Sequence, residues 1–146
     1  MSLGNLCRKD VVTVGPETMV SDVTKIMEEK NIGSVVVQNI IVGRERGKFG
    51  IVTDRDIALR VINNNLDPAI TPIDDVMTQN IVLTLRDDMG LFEALEQVRR
   101  SAVRRFPVVD IDGNLKGIIT LDDIITLLGK EMADVANIIE NEGPLL

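Results

Sequence analysis

GIVTDRDI, Gly50–Ile57, and GIITLDDI, Gly117–Ile124, are two copies of one pattern: glycine, two aliphatics, threonine, two variable residues, then Asp-Ile. They lie 67 residues apart. Upstream of each, TVGPETMVSDV (Thr13–Val23) matches TLRDDMGLFEA (Thr84–Ala94) at an offset of 71. Self-similarity of this kind means one structural unit built twice. The two offsets differ by four residues, so the first copy carries a surplus between Val35 and Phe49. Its connector GRERG, set against DIDGN in the second copy, is where that surplus is expected.

Around these anchors each copy reads β-α-β-β-α. A short apolar piece comes first, around Val11–Val14 or Ile81–Leu85. An amphipathic helix follows, with Val20, Val23, Ile26 and Met27, or Leu91, Ala94, Leu95 and Val98, at helical spacing. Ser21 is the expected N-cap of the first. Two β-branched runs then flank a turn: Ser34–Val42 with Phe49–Thr53, and Phe106–Asp110 with Leu115–Thr120. Asp112-Gly113 is a hairpin signal. The last helix of each copy is expected to turn Ile57, Ala58, Val61 and Ile62, or Ile124, Ile125, Leu127 and Leu128, inward. A unit of about 60 residues buries little surface alone, so the two should pack sheet against sheet. Asn63-Asn64-Asn65, Pro68 and Pro72 carry linker chemistry. The boundaries are repeat 1 over 6–66, linker 67–75, repeat 2 over 76–131, and a C-terminal helix and tail over 132–146. In that tail Met132, Val135, Ile138 and Ile139 recur at helical spacing before Gly143-Pro144 stops the helix. Packing of this stripe on the domain is preferred to a dimer contact, and the two are compatible.

The 146 residues include no His, Trp or Tyr, one Cys and three Phe. A Ser–His–Asp or Cys–His triad is therefore ruled out, as is a Cys/His zinc site. Net charge is −7, which repels nucleic acid and anionic membrane, and aromatic stacking on bases has few residues to use. No apolar run approaches the roughly 18 residues of a membrane span, and the N-terminus lacks a signal-peptide core. A cytoplasmic protein that binds neither nucleic acid nor membrane is expected.

Three features carry chemistry. Thr53 with Asp56, and Thr120 with Asp123, stand where a strand hands over to a helix. Thr-x-x-acid there is a capping box. The same junction exposes backbone N–H groups that attract phosphate, and its carboxylate can accept from the vicinal hydroxyls of a ribose. The run Arg99–Arg105 holds four arginines in seven residues. Arg99 and Arg100 suit the end of a helix. Arg104 and Arg105 enter a strand, where alternation points one toward the cleft, and arginine suits forked recognition of phosphate. Asp54, Asp56, Asp122 and Asp123 could in principle hold magnesium for a phosphate-handling enzyme. Arg55 competes with a metal there, and no nucleophile with an adjacent base is visible.

Taken together, Thr13-Val14 and Thr84-Leu85, IGSVVV and VRRFPVV, the two Gly-x-x-Thr-x-x-Asp motifs and the lead-in Asp75-Val76-Met77-Thr78 resemble a tandem pair of cystathionine-β-synthase (CBS) domains. That two-repeat regulatory unit is called a Bateman module. The resemblance covers roughly Leu6–Glu131 and departs at Val36, where the family often has the proline found at Pro107, and at the longer first hairpin. It implies an α/β (α+β) fold of two repeats related by a pseudo-twofold axis. It also implies an adenosine ligand such as AMP, ADP, ATP or S-adenosylmethionine in the clefts, with no required cofactor, no catalysis and no catalytic residues. Asp56 and Asp123 would hold ribose. Thr53, Arg55, Arg104, Arg105, Thr120 and Ser34 would meet phosphate, and Thr13, Ile32, Thr84 and Val103 the base or its surroundings. Each cleft borrows from the other repeat: Asp56 goes with Thr84, Val103, Arg104 and Arg105, and Asp123 with Thr13, Ile32 and Ser34. With two arginines, the Asp56 cleft is expected to bind phosphorylated ligand more tightly. A homodimer signalling to an effector protein is the expected assembly. The alternative is a structural interaction module with empty clefts.

Overall fold

The computed structural model describes residues 1–42, 44–77, 82–101 and 103–142. The first unit runs α1 (Leu3–Leu6), β1 (Thr13–Val14), α2 (Val20–Lys30), β2 (Ser34–Val42), β3 (Glu45–Thr53) and α3 (Asp54–Asn63). A single 3-10 turn, Ile73–Asp75, leads to β4 (Leu85–Arg86), α4 (Leu91–Val98), β5 (Arg105–Val109), β6 (Leu115–Thr120) and α5 (Leu121–Asn141). Each repeat has a three-stranded sheet, ordered β1-β2-β3 and β4-β5-β6. In both, the short first strand is parallel to the second, and the last two form an antiparallel hairpin. The expected β-α-β-β-α order is therefore present twice.

The hairpin ladders align across the repeats. Ser34 pairs with Thr53 as Arg105 does with Thr120, and Val37 with Gly50 as Val108 does with Gly117. The surplus of the first copy lengthens its strands rather than its connector, because the ladder continues to Ile40–Lys48 and Val42–Glu45 through register shifts. Strand alternation divides the core. Val35 and Val37 join one apolar cluster with α2 residues Val20, Val23 and Met27. Phe106 and Val108 join a second with Leu91, Ala94 and Val98 of α4. Val36 and Pro107, on the opposite sheet faces, are buried too. The two sheets thus turn one face to their helices and the other toward the facing repeat.

The ends of the repeats cross over. Leu3 and Cys7, which stand ahead of β1, pack in the core of repeat 2. Ile73, Val76 and Met77, which stand ahead of β4, pack in the core of repeat 1. The motif glycines make room for this exchange. A Cβ on Gly117 would collide with the Arg8 carbonyl and stand 2.6 Å from Cys7 Sγ, and one on Gly50 would collide with Met77 Cε.

Three helix expectations are corrected. The N-cap of α2 is Met19 rather than Ser21, which lies inside the helix, where its carbonyl accepts from the Thr24 hydroxyl. Ala58, Ile62, Ile125 and Leu128 are exposed, because the buried stripes of α3 and α5 narrow to Ile57 and Ile124. The stripe Met132, Val135, Ile138 and Ile139 is exposed as well, since α5 continues unbroken beyond the domain. Gly143-Pro144, Thr78 and Ile81 lie outside the described residues.

Candidate functional site

Each hairpin ends where a helix begins, and the junction is pinned twice. Asp54 N–H donates to the Gly33 carbonyl at 3.0 Å, and Leu121 N–H to that of Arg104 at 2.9 Å. Both capping boxes are formed. The Thr53 hydroxyl accepts from Asp56 N–H at 3.1 Å, while Asp56 Oδ2 accepts from Thr53 N–H at 3.1 Å. The Thr120–Asp123 distances are 3.0 and 3.2 Å. Two donors that helix geometry leaves orphaned are satisfied in each copy, and each carboxylate is fixed in position.

A cavity of about 380 Å³ opens between the repeats beside Asp123. Repeat 2 contributes Arg105, Ile118, Thr120, Asp122 and Asp123. The facing wall is Asp10–Val12, Asn31–Ser34 and Val36, with Arg8 at the rim. Asn31 closes α2 in the left-handed conformation, φ 52°, so the chain turns there into the cavity-lining segment. The volume suits a small organic ligand. The lining mixes apolar Val11, Val12, Ile32, Val36 and Ile118 with two guanidinium groups and three carboxylates.

Of those carboxylates, Asp123 is held from two sides. Its Oδ1 accepts from Arg8 Nη2 at 2.7 Å and its Oδ2 from Thr120 N–H. Partial burial alone would raise its pKa. The Arg8 hydrogen bond, the Thr120 hydroxyl and N–H, and the Arg8 charge together outweigh burial and hold the carboxyl below its ordinary value. The group is therefore an anion at neutral pH, able to accept hydrogen bonds.

Of the residues singled out in sequence, Asp123, Thr120, Ile32, Ser34 and Arg105 line this cavity. Thr13 does not; it pairs with Val36 on the neighbouring strand, and Asp10–Val12 occupy the wall instead. Thr84, Val103 and Arg104 stand outside the lining, as do Asp56, Thr53 and Arg55 of the first box. Arg105, grouped with Asp56 in the sequence reading, lines the Asp123 cavity, since strand register sets it opposite Thr120 in its own sheet. Arg104 reaches toward Asp122, 3.8 Å away, with both side chains largely exposed. Two charged residues of the lining were not singled out, Arg8 and Asp10. Their signal is the lead-in itself: Leu3 and Ile73 are equivalent, as are Cys7 and Met77, so Arg8 aligns with Thr78 at the approach to the motif. Among the described residues no group of three or more acids or cysteines is placed to hold a metal ion, and no helix is long and apolar enough to cross a membrane.

Two pseudo-twofold β-α-β-β-α repeats, sheets facing, with a capped carboxylate beside an inter-repeat cavity, define a two-repeat regulatory module. The family profile of the CBS domain matches residues 3–63 and 73–130, and the chain belongs to the CBS domain family. An uncharacterized protein of Methanopyrus kandleri is 34% identical over 125 residues, 86% of this chain and 61% of that protein. Inosine-5'-monophosphate dehydrogenase of Aquifex aeolicus is 36% identical over 114 residues, 78% of this chain but 22% of the enzyme. This chain thus spans less than two thirds of these relatives, and the dehydrogenase match is confined to its CBS part. Among solved structures, a conserved CBS domain protein of Thermoplasma acidophilum superposes with a TM-score of 0.68 at 27% identity, covering 86% of this chain and 68% of that one. A CBS domain protein of Pyrobaculum aerophilum complexed with AMP gives 0.66 at 23%, covering 84% and 89%. A hexameric cyanobacterial CBS-CP12 protein gives 0.68 at 23%, covering 99% and 76%.

Proposed function

We propose that this chain binds an adenosine-containing ligand, of the AMP, ADP, ATP or S-adenosylmethionine class, in the clefts between its repeats and passes the resulting change of shape to a partner protein. The observation that carries this reading is Asp123, an ionised carboxylate fixed by its capping box at the wall of a 380 Å³ cavity. A carboxylate so held can accept from both hydroxyls of a ribose. Asp123 and, by repeat symmetry, Asp56 take the ribose. Thr53, Arg55, Thr120, Ser34, Arg104 and Arg105 are the phosphate group of residues. Thr13, Ile32, Thr84 and Val103 attend the base. The chain has no catalytic role in this reading and works in the cytoplasm. Copies associate as a homodimer, for which the exposed apolar stripe of α5 is the supporting feature.

The test is direct because the chain lacks Trp and Tyr. Adenine carried through purification would dominate the ultraviolet spectrum near 260 nm, and mass spectrometry of the denatured supernatant would name it. Ligand at 100 times Kd stabilises by about 2.7 kcal/mol, worth several degrees in Tm for a chain of this length. A flat spectrum together with unchanged melting in AMP, ADP, ATP and S-adenosylmethionine would overturn the sensor reading in favour of an interaction module with empty clefts.

A further inference from the structure

The carboxylate assigned to ribose is already engaged. Arg8 Nη2 lies 2.7 Å from Asp123 Oδ1, and both residues line the cavity. The Arg8 backbone cannot wander, because its N–H donates to the Ile118 carbonyl and its carbonyl accepts from Ile118 N–H, both at 2.9 Å. Its side chain is free to swing, being 68% exposed. Arg105 lines the same cavity. Ligand entering by its ribose must therefore contend with Arg8 for Asp123.

We propose that Arg8 is a specificity-determining residue that exchanges partners: it neutralises Asp123 in the empty cleft and moves to the ligand's phosphate when ribose hydroxyls take the carboxylate. This rests on the ribose assignment of Asp123 made above. Exposed ion pairs are weak and easily exchanged, whereas a guanidinium on phosphate makes short, forked, charge-assisted bonds. A nucleoside monophosphate repays the displaced guanidinium with its own anion. Neutral adenosine displaces it and offers nothing in return. S-adenosylmethionine brings a sulfonium cation into a cleft where Arg8 has just lost its counter-charge beside Arg105. The Asp123 cleft should therefore rank AMP above adenosine and above S-adenosylmethionine. The aligned position of the other repeat is Thr78, which carries no charge, so this device belongs to one cleft.

The experiment titrates AMP, adenosine and S-adenosylmethionine by calorimetry into the full chain carrying Asp56→Asn, which keeps a capping oxygen while silencing the other cleft, with and without Arg8→Ala. Arg8→Ala should weaken AMP about tenfold and leave adenosine unchanged or tighter, so the preference for AMP collapses. Arg8→Lys should retain part of it, since charge survives without the fork. Circular dichroism checks folding, and the Ile118 bonds, being backbone, survive the change. Equal losses for AMP and adenosine, or none for either, would overturn the role of Arg8 while leaving the sensor reading standing. Absence of binding by all three ligands to the unmutated chain would overturn both.

Discussion

Leu3 and Ile73 hold equivalent places in opposite halves of the molecule. Leu3 N–H donates to the Met89 carbonyl at 2.9 Å, Ile73 N–H to the Thr18 carbonyl at 2.7 Å, and both side chains are fully buried. Each repeat is thus completed by the segment that precedes its sister, and the N-terminus closes the core of repeat 2. Leu3→Ala should cost about 2–5 kcal/mol, as for any buried leucine, despite standing near the chain end. Urea titration measures it. A loss under about 0.5 kcal/mol, the usual size for a surface position, would show that α1 is not part of that core.

Gly117 and Gly129 predict opposite outcomes for one substitution. At Gly117 a methyl meets the Arg8 carbonyl and Cys7 Sγ, and the Arg8 carbonyl cannot retreat without breaking its bond to Ile118 N–H. At Gly129, inside α5, nothing lies within 4 Å. Gly117→Ala should lower stability by about 1–3 kcal/mol, the range for overpacking. Gly129→Ala should raise it by about 0.5–1 kcal/mol through helix propensity. Paired melting curves decide, and a shared sign would contradict the close approach at Gly117.

Acid should weaken the fold through two carboxylates. Asp110 is held below its ordinary pKa first by the Asn114 N–H, with the Asn114 side chain, the Asp112 N–H and Lys116 adding to that against desolvation. In Asp123 burial works the other way but is outweighed by Arg8 and Thr120. A carboxyl whose pKa is depressed on folding stabilises the fold above its unfolded value, about 3.9. That contribution disappears as pH falls through the lower folded value. Tm should be level from pH 7 to about 5 and fall below about 4. Asp123→Asn should make the fall shallower, and an identical acid limb in the variant would remove Asp123 from the account.

What could be read from the chain was local, and what escaped was long-range. The Thr53–Asp56 and Thr120–Asp123 boxes were legible because a cap is decided within four residues. Repetition then multiplied one reading into two. Arg8 escaped because its partner lies 115 residues away and only the crossing of the chain ends joins them. The place of Arg105 in the Asp123 cavity is long-range in the same sense: its residue type announces phosphate, but hairpin register decides its neighbours. Periodicity found the apolar stripes of α3 and α5 without saying which portion any neighbour covers. Ile57 and Ile124 are covered; Ile62 and Ile125 are not.

The uncovered part of α5 makes the last prediction. Leu121, Ile125, Leu128, Met132, Val135 and Ile139 follow one another at alternating steps of four and three, the spacing of a coiled-coil seam. Leu121 packs on the core of repeat 2, but Ile125, Met132, Val135 and Ile139 are between 56% and 73% exposed, so their own chain gives these four no partner surface. Light scattering should find the protein at a multiple of the single-chain mass at micromolar concentration. Met132→Glu with Val135→Glu should reduce it to one chain while the urea midpoint of the domain stays put, since neither side chain belongs to an apolar cluster of either repeat. A single-chain mass for the unmutated protein would sink association through α5. A multiple that survives the double substitution would instead move the contact to Leu59, Ile62 or Phe92, the other large apolar side chains left exposed on the helices.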